Sequence, residues 1–302
     1  MGQTLSAFWD QTYFIPKPTF TENDLPDLTG KVYIITGGYT GIGFELAKLL
    51  YPKNATLYIA GRSASKASTA IKSLQSTFPA SRGRLEFLSL DLADLSTISA
   101  SASAFLAKEE RLDVLTATNV YGPFLFTKLL LPVLRSTAKT VETGTVRVTW
   151  AASFAIEIMG PKGGVVFVDG GNGDEVLYGQ SKIANVMLGV EGAKRWGGEG
   201  IISNSFNPGH LASELTRHAG WMELMAAKAI CYPVKCGAYT ELYAGWSPDI
   251  TPAKNGCYII PWGRIGNYNT GLQKAISPIS EAGDGAAEKL WTVCEKVVEG
   301  YL

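Results

Sequence analysis

Tyr178 and Lys182 are the residues of this chain whose types and spacing most directly suggest proton chemistry. Residues four apart share one face of a helix. A free tyrosine has a pKa of about 10, and a neighbouring ammonium group stabilises its phenolate form. Such a pair can protonate an oxygen that is becoming an alkoxide. Helices produce this spacing by chance, so the pair gains weight only from Ser153, which follows an apolar segment. Its hydroxyl could polarise the same oxygen, or it could simply cap backbone groups in a turn.

A glycine-rich turn lies far upstream, from Thr36 to Gly43, between an apolar segment and a segment with helical spacing. The absence of side chains at Gly37, Gly41 and Gly43 would let a pyrophosphate approach the backbone closely. The unpaired N–H groups at the start of the following helix would then face the phosphates. The turn therefore predicts dinucleotide binding, and with the Tyr178/Lys182 pair it indicates hydride transfer to a carbonyl.

The end of the second apolar segment bears on the choice of dinucleotide. NAD-binding sites usually place an acid there to bind the ribose hydroxyls. This chain instead has Arg62, with Lys66 one helical turn further on. A guanidinium group suits a 2′-phosphate, so the pattern favours NADP(H), the alternative being a solvated surface arginine.

Composition limits the class of protein. The chain has 302 residues, of which 46% are hydrophobic and 18% charged, the latter below the usual value of about 25%. We expect a large core and a partly apolar surface that could serve an oligomer. The 27 basic residues balance the 27 acidic ones, so net charge gives no reason to expect a nucleic acid or an anionic membrane as partner.

The sulfur and imidazole side chains show no metal pattern. The two histidines, His210 and His218, have no zinc-ligand spacing, and the cysteines form no CxxC pair. The four cysteines are Cys231, Cys236, Cys257 and Cys294. We expect reduced structural thiols, no metal and a cytoplasmic protein.

The N-terminus fits a lipidation template, since Gly2 and Ser6 stand where N-myristoylation requires them. The alternative, which we favour, is a frayed N-terminus whose aromatic side chains pack as an arm on the body. These side chains are Phe8, Trp9, Tyr13 and Phe14. No secretory signal is visible, and the longest apolar run, residues 122–134, is too short and too interrupted to span a bilayer.

Alternating strand and helix patterns predict an α/β fold with a parallel sheet covered on both faces. We expect an arm over residues 1–28 and a single Rossmann-type, doubly wound, three-layer domain over residues 29–302. The predicted strands are Lys31–Thr36, Thr56–Ala60, Leu85–Leu90, Leu112–Leu115, Val146–Trp150, Ile201–Phe206 and Cys257–Pro261. The predicted helices are Phe44–Leu50, Ser65–Phe78, Leu95–Leu106, Phe124–Leu134, Tyr178–Trp196, Ser213–Ile230, Cys236–Ala244 and Ala286–Val298.

From about Lys31 to Gly263 the chain resembles the short-chain dehydrogenase/reductase family, in particular its retinol-dehydrogenase-like and fungal ketoreductase-like members. The glycine turn, Asp91-Leu92, Asn119, the Tyr178/Lys182 pair with Ser153, and Asn207-Pro208-Gly209 carry the resemblance. The catalytic positions that the resemblance implies are Asn119, Ser153, Tyr178 and Lys182. The implied cofactor-binding positions are Gly37, Gly41, Ile42, Gly43, Arg62, Asp91, Asn119, Tyr178, Lys182, Leu211 and Ser213.

The resemblance implies an NADP(H)-dependent oxidoreductase that interconverts a ketone or aldehyde and an alcohol, as a homodimer in many members. Residues 210–232 would form the substrate lid, whose apolar side chains suggest a lipophilic substrate or simply pack as a helix on the core. These side chains are Trp221, Met222, Leu224 and Met225. The glycine spacing disfavours sugar-nucleotide epimerase chemistry.

The chain departs from the family between Leu115 and Asn119. Members carry an Asn-Asn-Ala-Gly stretch and several helical turns there. This chain has only four residue steps from Leu115 to Asn119, which span at most about 14 Å. The shortening is either natural or a truncation of the coding sequence. We expect a short fourth strand, a fourth helix that begins near Asn119, and poorly covered side chains at Tyr121, Phe124 and Phe126. The alternative function is a nucleotide-binding or scaffold protein that the gap has disabled.

Overall fold

Eight strands form one sheet in the part of the chain that the computed structural model describes, residues 2–161, 163–166, 174–212 and 230–302. The strands are β1 Val32–Thr36, β2 Thr56–Gly61, β3 Arg84–Ser89, β4 Val114–Thr118, β5 Val146–Ala151, β6 Ile201–Phe206, β7 Tyr258–Ile260 and β8 Arg264–Gly266. Their order is β3-β2-β1-β4-β5-β6-β7-β8. All neighbours pair in parallel except β7 and β8, and the sequence pattern did not predict β8.

Helices cover both faces of the sheet. They are α1 Gly2–Thr12, α2 Gly41–Leu50, α3 Ala64–Thr77, α4 Leu95–Leu106, α5 Tyr121–Ala138, α6 Ala155–Ile158, α7 Asp174–Trp196, α8 Val234–Trp246, α9 Thr270–Ile276 and α10 Ala286–Val298. The predicted helix Ser213–Ile230, the position Ser213 and the lid side chains named above lie outside the described residues, apart from Ile230 itself. Within the described ranges, no helix has both the length and the apolarity that a bilayer crossing requires.

The side chains of β1 show why the sheet needs two layers of helices. Val32 and Ile34 lie in a core cluster with α4, α5, α7 and α10, whereas Tyr33 and Ile35 lie in a second cluster with α2, α3 and α8. All four are at most 5% exposed. Because successive side chains of a strand point to opposite faces, a strand that is apolar throughout must be covered on both sides. The predicted three-layer, doubly wound α/β fold is confirmed.

The connection from β4 to α5 differs from the prediction. The strand does not stop at Leu115 but continues through Thr118, with Thr116 paired to Thr149 and Thr118 paired to Ala151 of β5. After Asn119 and Val120, the helix begins at Tyr121. The residues that remain after the shortening are thus sufficient to complete the strand and to join it directly to the helix.

The prediction of poorly covered aromatic side chains near this connection is wrong for two of the three. Phe124 and Phe126 are 0% and 1% exposed, while Tyr121 is 42% exposed. Phe124 makes an edge-on ring contact with Trp291 of α10, with centroids 4.8 Å apart. At the start of α5, Gly122 packs directly on the segment after β3, because a Cβ atom there would overlap the carbonyl oxygen of Leu92.

Candidate functional site

The turn between β1 and α2 has the shape expected of an anion-binding turn. Gly37 and Gly41 have φ angles of +69° and +56°, a region that favours glycine. A Cβ atom on Gly43 would lie 3.0 Å from the carbonyl oxygen of Gly37, so α2 packs directly on the turn. Thr40, the N-cap residue, makes no side-chain cap hydrogen bond. The first N–H groups of α2, including that of half-buried Ile42, are therefore available to phosphate oxygens.

Arg62 and Asp91, which follow β2 and β3, line one cavity of about 420 Å³ that extends along α4 as far as Lys108. Arg62 is exposed, and Asp91 is half-buried and accepts a hydrogen bond of 3.0 Å from the N–H of Ala93. The ring of Tyr39, from the glycine turn, packs on Gly61, so a side chain at Gly61 would collide with it. The structure thus brings two predicted cofactor-binding positions, Arg62 and Asp91, together in one cavity next to the glycine turn.

Lys182 reaches from α7 to the end of β5. Its Nζ donates a hydrogen bond of 3.2 Å to the carbonyl oxygen of Ala151 and lies 5.6 Å from the ring centroid of Tyr178. The side chain is buried, and this burial lowers the pKa of the Lys182 ammonium to about 8. Tyr178, by contrast, is 45% exposed. The Lys182 ammonium group is therefore buried next to the Tyr178 ring, and the Tyr178 side chain is partly exposed to solvent.

Ser153 and Tyr178 open into the same pocket, which has a volume of about 400 Å³. The other lining residues are the apolar Phe154, Ala155, Ile158 and Met159, together with His210. Burial lowers the pKa of His210, so its imidazole is neutral at physiological pH. The Ser153 hydroxyl oxygen also accepts a hydrogen bond of 3.2 Å from the N–H of Ala155. Ser153 therefore caps this turn, as the alternative interpretation holds, and also faces the pocket.

Asn119 lies at the carboxyl end of β4, two residues before α5, and not within the helix. It is exposed, and its backbone is left-handed with a φ angle of +79°. The hydrogen bond from Lys182 goes to Ala151 instead of to Asn119. The shortened connection accounts for this placement, since it leaves no helical turn in front of Asn119.

Asn185 is a site residue that the sequence analysis missed. It is 0% exposed, and its Nδ2 donates a hydrogen bond of 2.7 Å to the same Ala151 carbonyl oxygen that accepts from Lys182. The signal was present: Asn185 lies three residues after Lys182, on the same helix face, within an otherwise apolar stretch.

The segment after β6 borders the pocket from the other side. The Asn207 Oδ1 accepts a hydrogen bond of 3.0 Å from the N–H of Gly209, which closes the Asn207-Pro208-Gly209 turn. Leu211 is half-buried and forms a parallel bridge with Tyr232, at the far end of the predicted lid. The two ends of the lid segment therefore meet beside the pocket.

The four cysteines are free thiols in the structure. Cys294 is buried, and the other three are half-buried.

These features together define a class of protein. A parallel sheet places an uncapped helix start, an arginine-lined cavity and a Tyr/Lys/Ser group at the carboxyl ends of its strands, where α/β proteins bind nucleotides. This is a Rossmann-type α/β protein with a Tyr/Lys/Ser group beside an apolar pocket.

Comparison with known proteins gives the family. The family model described as short chain dehydrogenase matches residues 31–223. The short-chain dehydrogenase/reductase bet4 of Neocamarosporium betae is 38% identical, over 100% of this chain and 95% of that protein. A short-chain dehydrogenase/reductase of Phomopsis amygdali is 39% identical, over 99% and 98% of the two chains. The solved Pseudomonas aeruginosa RhlG/NADP active-site complex superposes with a TM-score of 0.61 at 25% identity, covering 77% of this chain and 95% of that chain. The chain belongs to the short-chain dehydrogenase/reductase family of oxidoreductases.

The same comparison shows that the relative has positions that this chain lacks. The alignment with the Neocamarosporium betae protein extends over 331 positions, 29 more than the 302 residues of this chain. At least that many positions of the relative therefore have no counterpart here.

Proposed function

We propose that the protein is an NADP(H)-dependent oxidoreductase that reduces a ketone or aldehyde, or oxidises the corresponding alcohol, and that its substrate is lipophilic. The observation that carries the proposal is the arrangement of Tyr178 and Ser153 on one apolar pocket, with the Lys182 ammonium behind the tyrosine. The bound nicotinamide supplies or accepts the hydride. Everything else in the reaction is done by side chains that this chain places at the pocket.

Each of these side chains has a role that follows from its position. The Ser153 hydroxyl orients and polarises the carbonyl oxygen, and the Tyr178 hydroxyl donates the proton as that oxygen becomes an alkoxide. Lys182 stabilises the tyrosinate that remains, and its own hydrogen bond to Ala151 fixes its position. Asn119 stays a prediction as the fourth catalytic residue.

The decisive experiment replaces the proton donor. Tyr178→Phe should keep NADPH affinity, measured by fluorescence titration, but should lower kcat for carbonyl reduction by about 10² or more, the scale of a lost general acid. Tyr301→Phe is the matched control, because Tyr301 is a tyrosine of similar exposure, 40%, at the C-terminus. If the Tyr178→Phe protein turns over like wild type, Tyr178 is not the acid and the mechanism is wrong.

The residues of the nucleotide site support NADP(H) as the cofactor. A Cβ atom at Gly37 or Gly41 would meet no other atom within 4 Å, so the turn leaves open space there, and Arg62 lies at the cavity beside it. The neighbour in the Pseudomonas aeruginosa complex is bound to NADP.

Arg62→Asp should raise the Kd for NADPH by about tenfold or more and the Kd for NADH much less, since the new carboxylate would repel the 2′-phosphate of NADPH. Arg82→Asp, at an exposed arginine, controls for net charge. Equal wild-type affinity for the two cofactors would exclude the assignment.

The shortened connection predicts weaker cofactor binding and lower stability than in a relative of full length. The chain passes from β4 to α5 through only Asn119 and Val120, so it lacks a loop on the cofactor side. Inserting the corresponding Neocamarosporium betae segment between Leu115 and Asn119 should raise the melting temperature and NADPH turnover together. If both stay unchanged, the shortening is tolerated and costs no activity. If the insertion creates turnover where the chain has none, the alternative of a disabled, non-catalytic protein is correct.

The homodimer, the cytoplasmic location and the lipidation of Gly2 stay predictions. Light scattering after size-exclusion chromatography tests the first. The mass of the N-terminal peptide tests the last, because a myristoyl group adds a fixed mass to Gly2.

A further inference from the structure

The N-terminal helix α1 lies outside the family match, which begins at residue 31, yet it is joined to the body of the protein beside the pocket. Its main connection is Gln11, which is 4% exposed. The Gln11 Oε1 accepts a hydrogen bond of 2.9 Å from the Nδ2 of Asn207, which is 1% exposed. A buried side-chain hydrogen bond between residues so far apart in sequence ties α1 to the end of β6.

This hydrogen bond sets the orientation of the Asn207 carboxamide. Its nitrogen faces Gln11, so its oxygen faces the N–H of Gly209, from which it accepts a hydrogen bond of 3.0 Å. Without the acceptor on Gln11, the carboxamide nitrogen would be a buried donor without a partner, which is costly. Rotating the group to relieve this would remove the acceptor from Gly209. Gln11 therefore stabilises the turn that borders the pocket, through Asn207.

A second connection holds the end of the lid segment. The carbonyl oxygen of Thr12 accepts a hydrogen bond of 2.9 Å from the hydroxyl of Tyr232. The Tyr232 backbone in turn pairs with the strand-like segment after Gly209: its N–H donates to the carbonyl oxygen of His210 at 2.8 Å, and its carbonyl oxygen accepts from the N–H of Ala212 at 2.9 Å. The helix α1 is thus hydrogen-bonded to the turn that precedes residue 210, through Gln11, and to Tyr232, through Thr12.

A third contact lies behind the pocket wall. The ring of Phe8 is 6.0 Å, centroid to centroid, from the ring of Phe154, which lines the pocket and lies 5.3 Å from the ring of His210. The other aromatic side chains of the arm do not pack in this way, because Phe14 and Trp9 are 74% and 45% exposed. The sequence pattern favoured a frayed arm whose aromatic side chains all pack on the body. The structure shows instead an ordered helix, and only some of these side chains pack. It is a helix attached through Phe8, Gln11 and Thr12, and Asp10 adds an ion pair of 2.6 Å with Arg264.

From these contacts we propose that α1 is a substrate-specificity element of this oxidoreductase. Gln11 is a positioning residue that fixes the Asn207–Gly209 turn, and Phe8 fixes Phe154 and so limits the size of the carbonyl substrate. The proposal rests on the proposed function for its kinetic consequences, but the structural role of Gln11 can be tested without turnover.

The first experiment measures hydrogen–deuterium exchange and needs no substrate. Gln11→Met keeps the length of the side chain and removes the strong acceptor, whereas Gln11→Glu keeps an acceptor oxygen. Peptides that cover Asn207–Ala212 should exchange at least several-fold faster in Gln11→Met and close to the wild-type rate in Gln11→Glu. Phe14→Leu, on the exposed part of the arm, is the control and should exchange like wild type. Unchanged exchange in Gln11→Met overturns the positioning role.

The second experiment measures specificity for carbonyl compounds of graded size with NADPH. Phe8→Ala should raise kcat/KM for a bulky aryl ketone relative to a small aliphatic aldehyde several-fold, with an unchanged Kd for NADPH. Gln11→Met should raise KM for both substrates, whereas Gln11→Glu should have a KM close to that of wild type. Phe14→Leu should change none of these values. Each variant is assayed well below its own melting temperature, so a loss of folding is not mistaken for a loss of specificity.

The outcomes separate the two proposals. If wild type turns over no carbonyl compound with NADPH, the proposed function fails, while the exchange data still decide the role of Gln11. If wild type is active and Phe8→Ala keeps the wild-type size preference, α1 is not a specificity element.

Discussion

Replacing Lys182 by methionine should make the cofactor-free protein more stable at neutral pH while removing most of its activity. The lysine is 7% exposed, and its burial lowers the pKa of the ammonium from 10.5 to about 8. Because the folded protein binds this proton less tightly than the unfolded chain does, the unfolded chain carries more protons between pH 8 and 10.5. The free energy of unfolding of wild type therefore rises through this window, and the cost of the buried charge is fully present below pH 8.

The size of the effect follows from the same values. A fall in the pKa from 10.5 to about 8 corresponds to about 3 kcal/mol of destabilisation at pH 7. Lys182→Met would remove this cost and keep an apolar side chain of similar length. It would also lose the hydrogen bond to the Ala151 carbonyl oxygen and the contact with the Tyr178 ring, together about 1.5 kcal/mol. We expect a net gain of about 1–2 kcal/mol at pH 7.

The assay is urea unfolding of wild type and Lys182→Met at several pH values from 7 to 10.5, without cofactor. The difference between the two proteins isolates Lys182, because other titrating groups are common to both. The advantage of the variant should shrink across this range, and its kcat should be at least about 10² lower than that of wild type. Lys139→Met, at an exposed lysine, controls for the loss of one charge. A variant that is less stable than wild type at pH 7, or a difference that does not change with pH, would refute the reasoning.

Two further predictions concern the buried acid Glu241 and the glycine turn. Burial raises the pKa of Glu241, beside Thr116, to about 8, so the contribution of Glu241 to stability should fall as the pH rises from 4.5 towards 8. Glu241→Gln should gain up to about 4 kcal/mol over wild type at pH 8 and little at pH 5, and urea unfolding at the two pH values checks this. Gly43→Ala should raise the Kd for NADPH by about tenfold, since its methyl group would push the helix away from the phosphate-binding turn. Gly198→Ala, which has open space around it, should leave the Kd unchanged in the same fluorescence titration.

Much of the fold could be predicted because its signals are local. Apolar runs such as those of β1 and β2 are too hydrophobic to be exposed on either face, so they indicate a covered parallel sheet without knowledge of their neighbours. The glycine turn, the arginine after β2 and the Tyr178/Lys182 spacing are likewise readable, because each depends on a few consecutive residues. The family match and the sheet order confirm the class of protein that these signals predicted.

The tertiary structure decided what depends on residues far apart in sequence. Only the packed sheet shows that the Ala151 carbonyl oxygen accepts hydrogen bonds from both Lys182 and Asn185, and that β4 can pass directly into α5. The attachment of α1 was also invisible, since the partner of Gln11 is Asn207, 196 positions away. The residues next to a polar side chain in the sequence do not indicate which distant residue it will bond. Chain folding alone brings the two together, and burial then makes their hydrogen bond necessary.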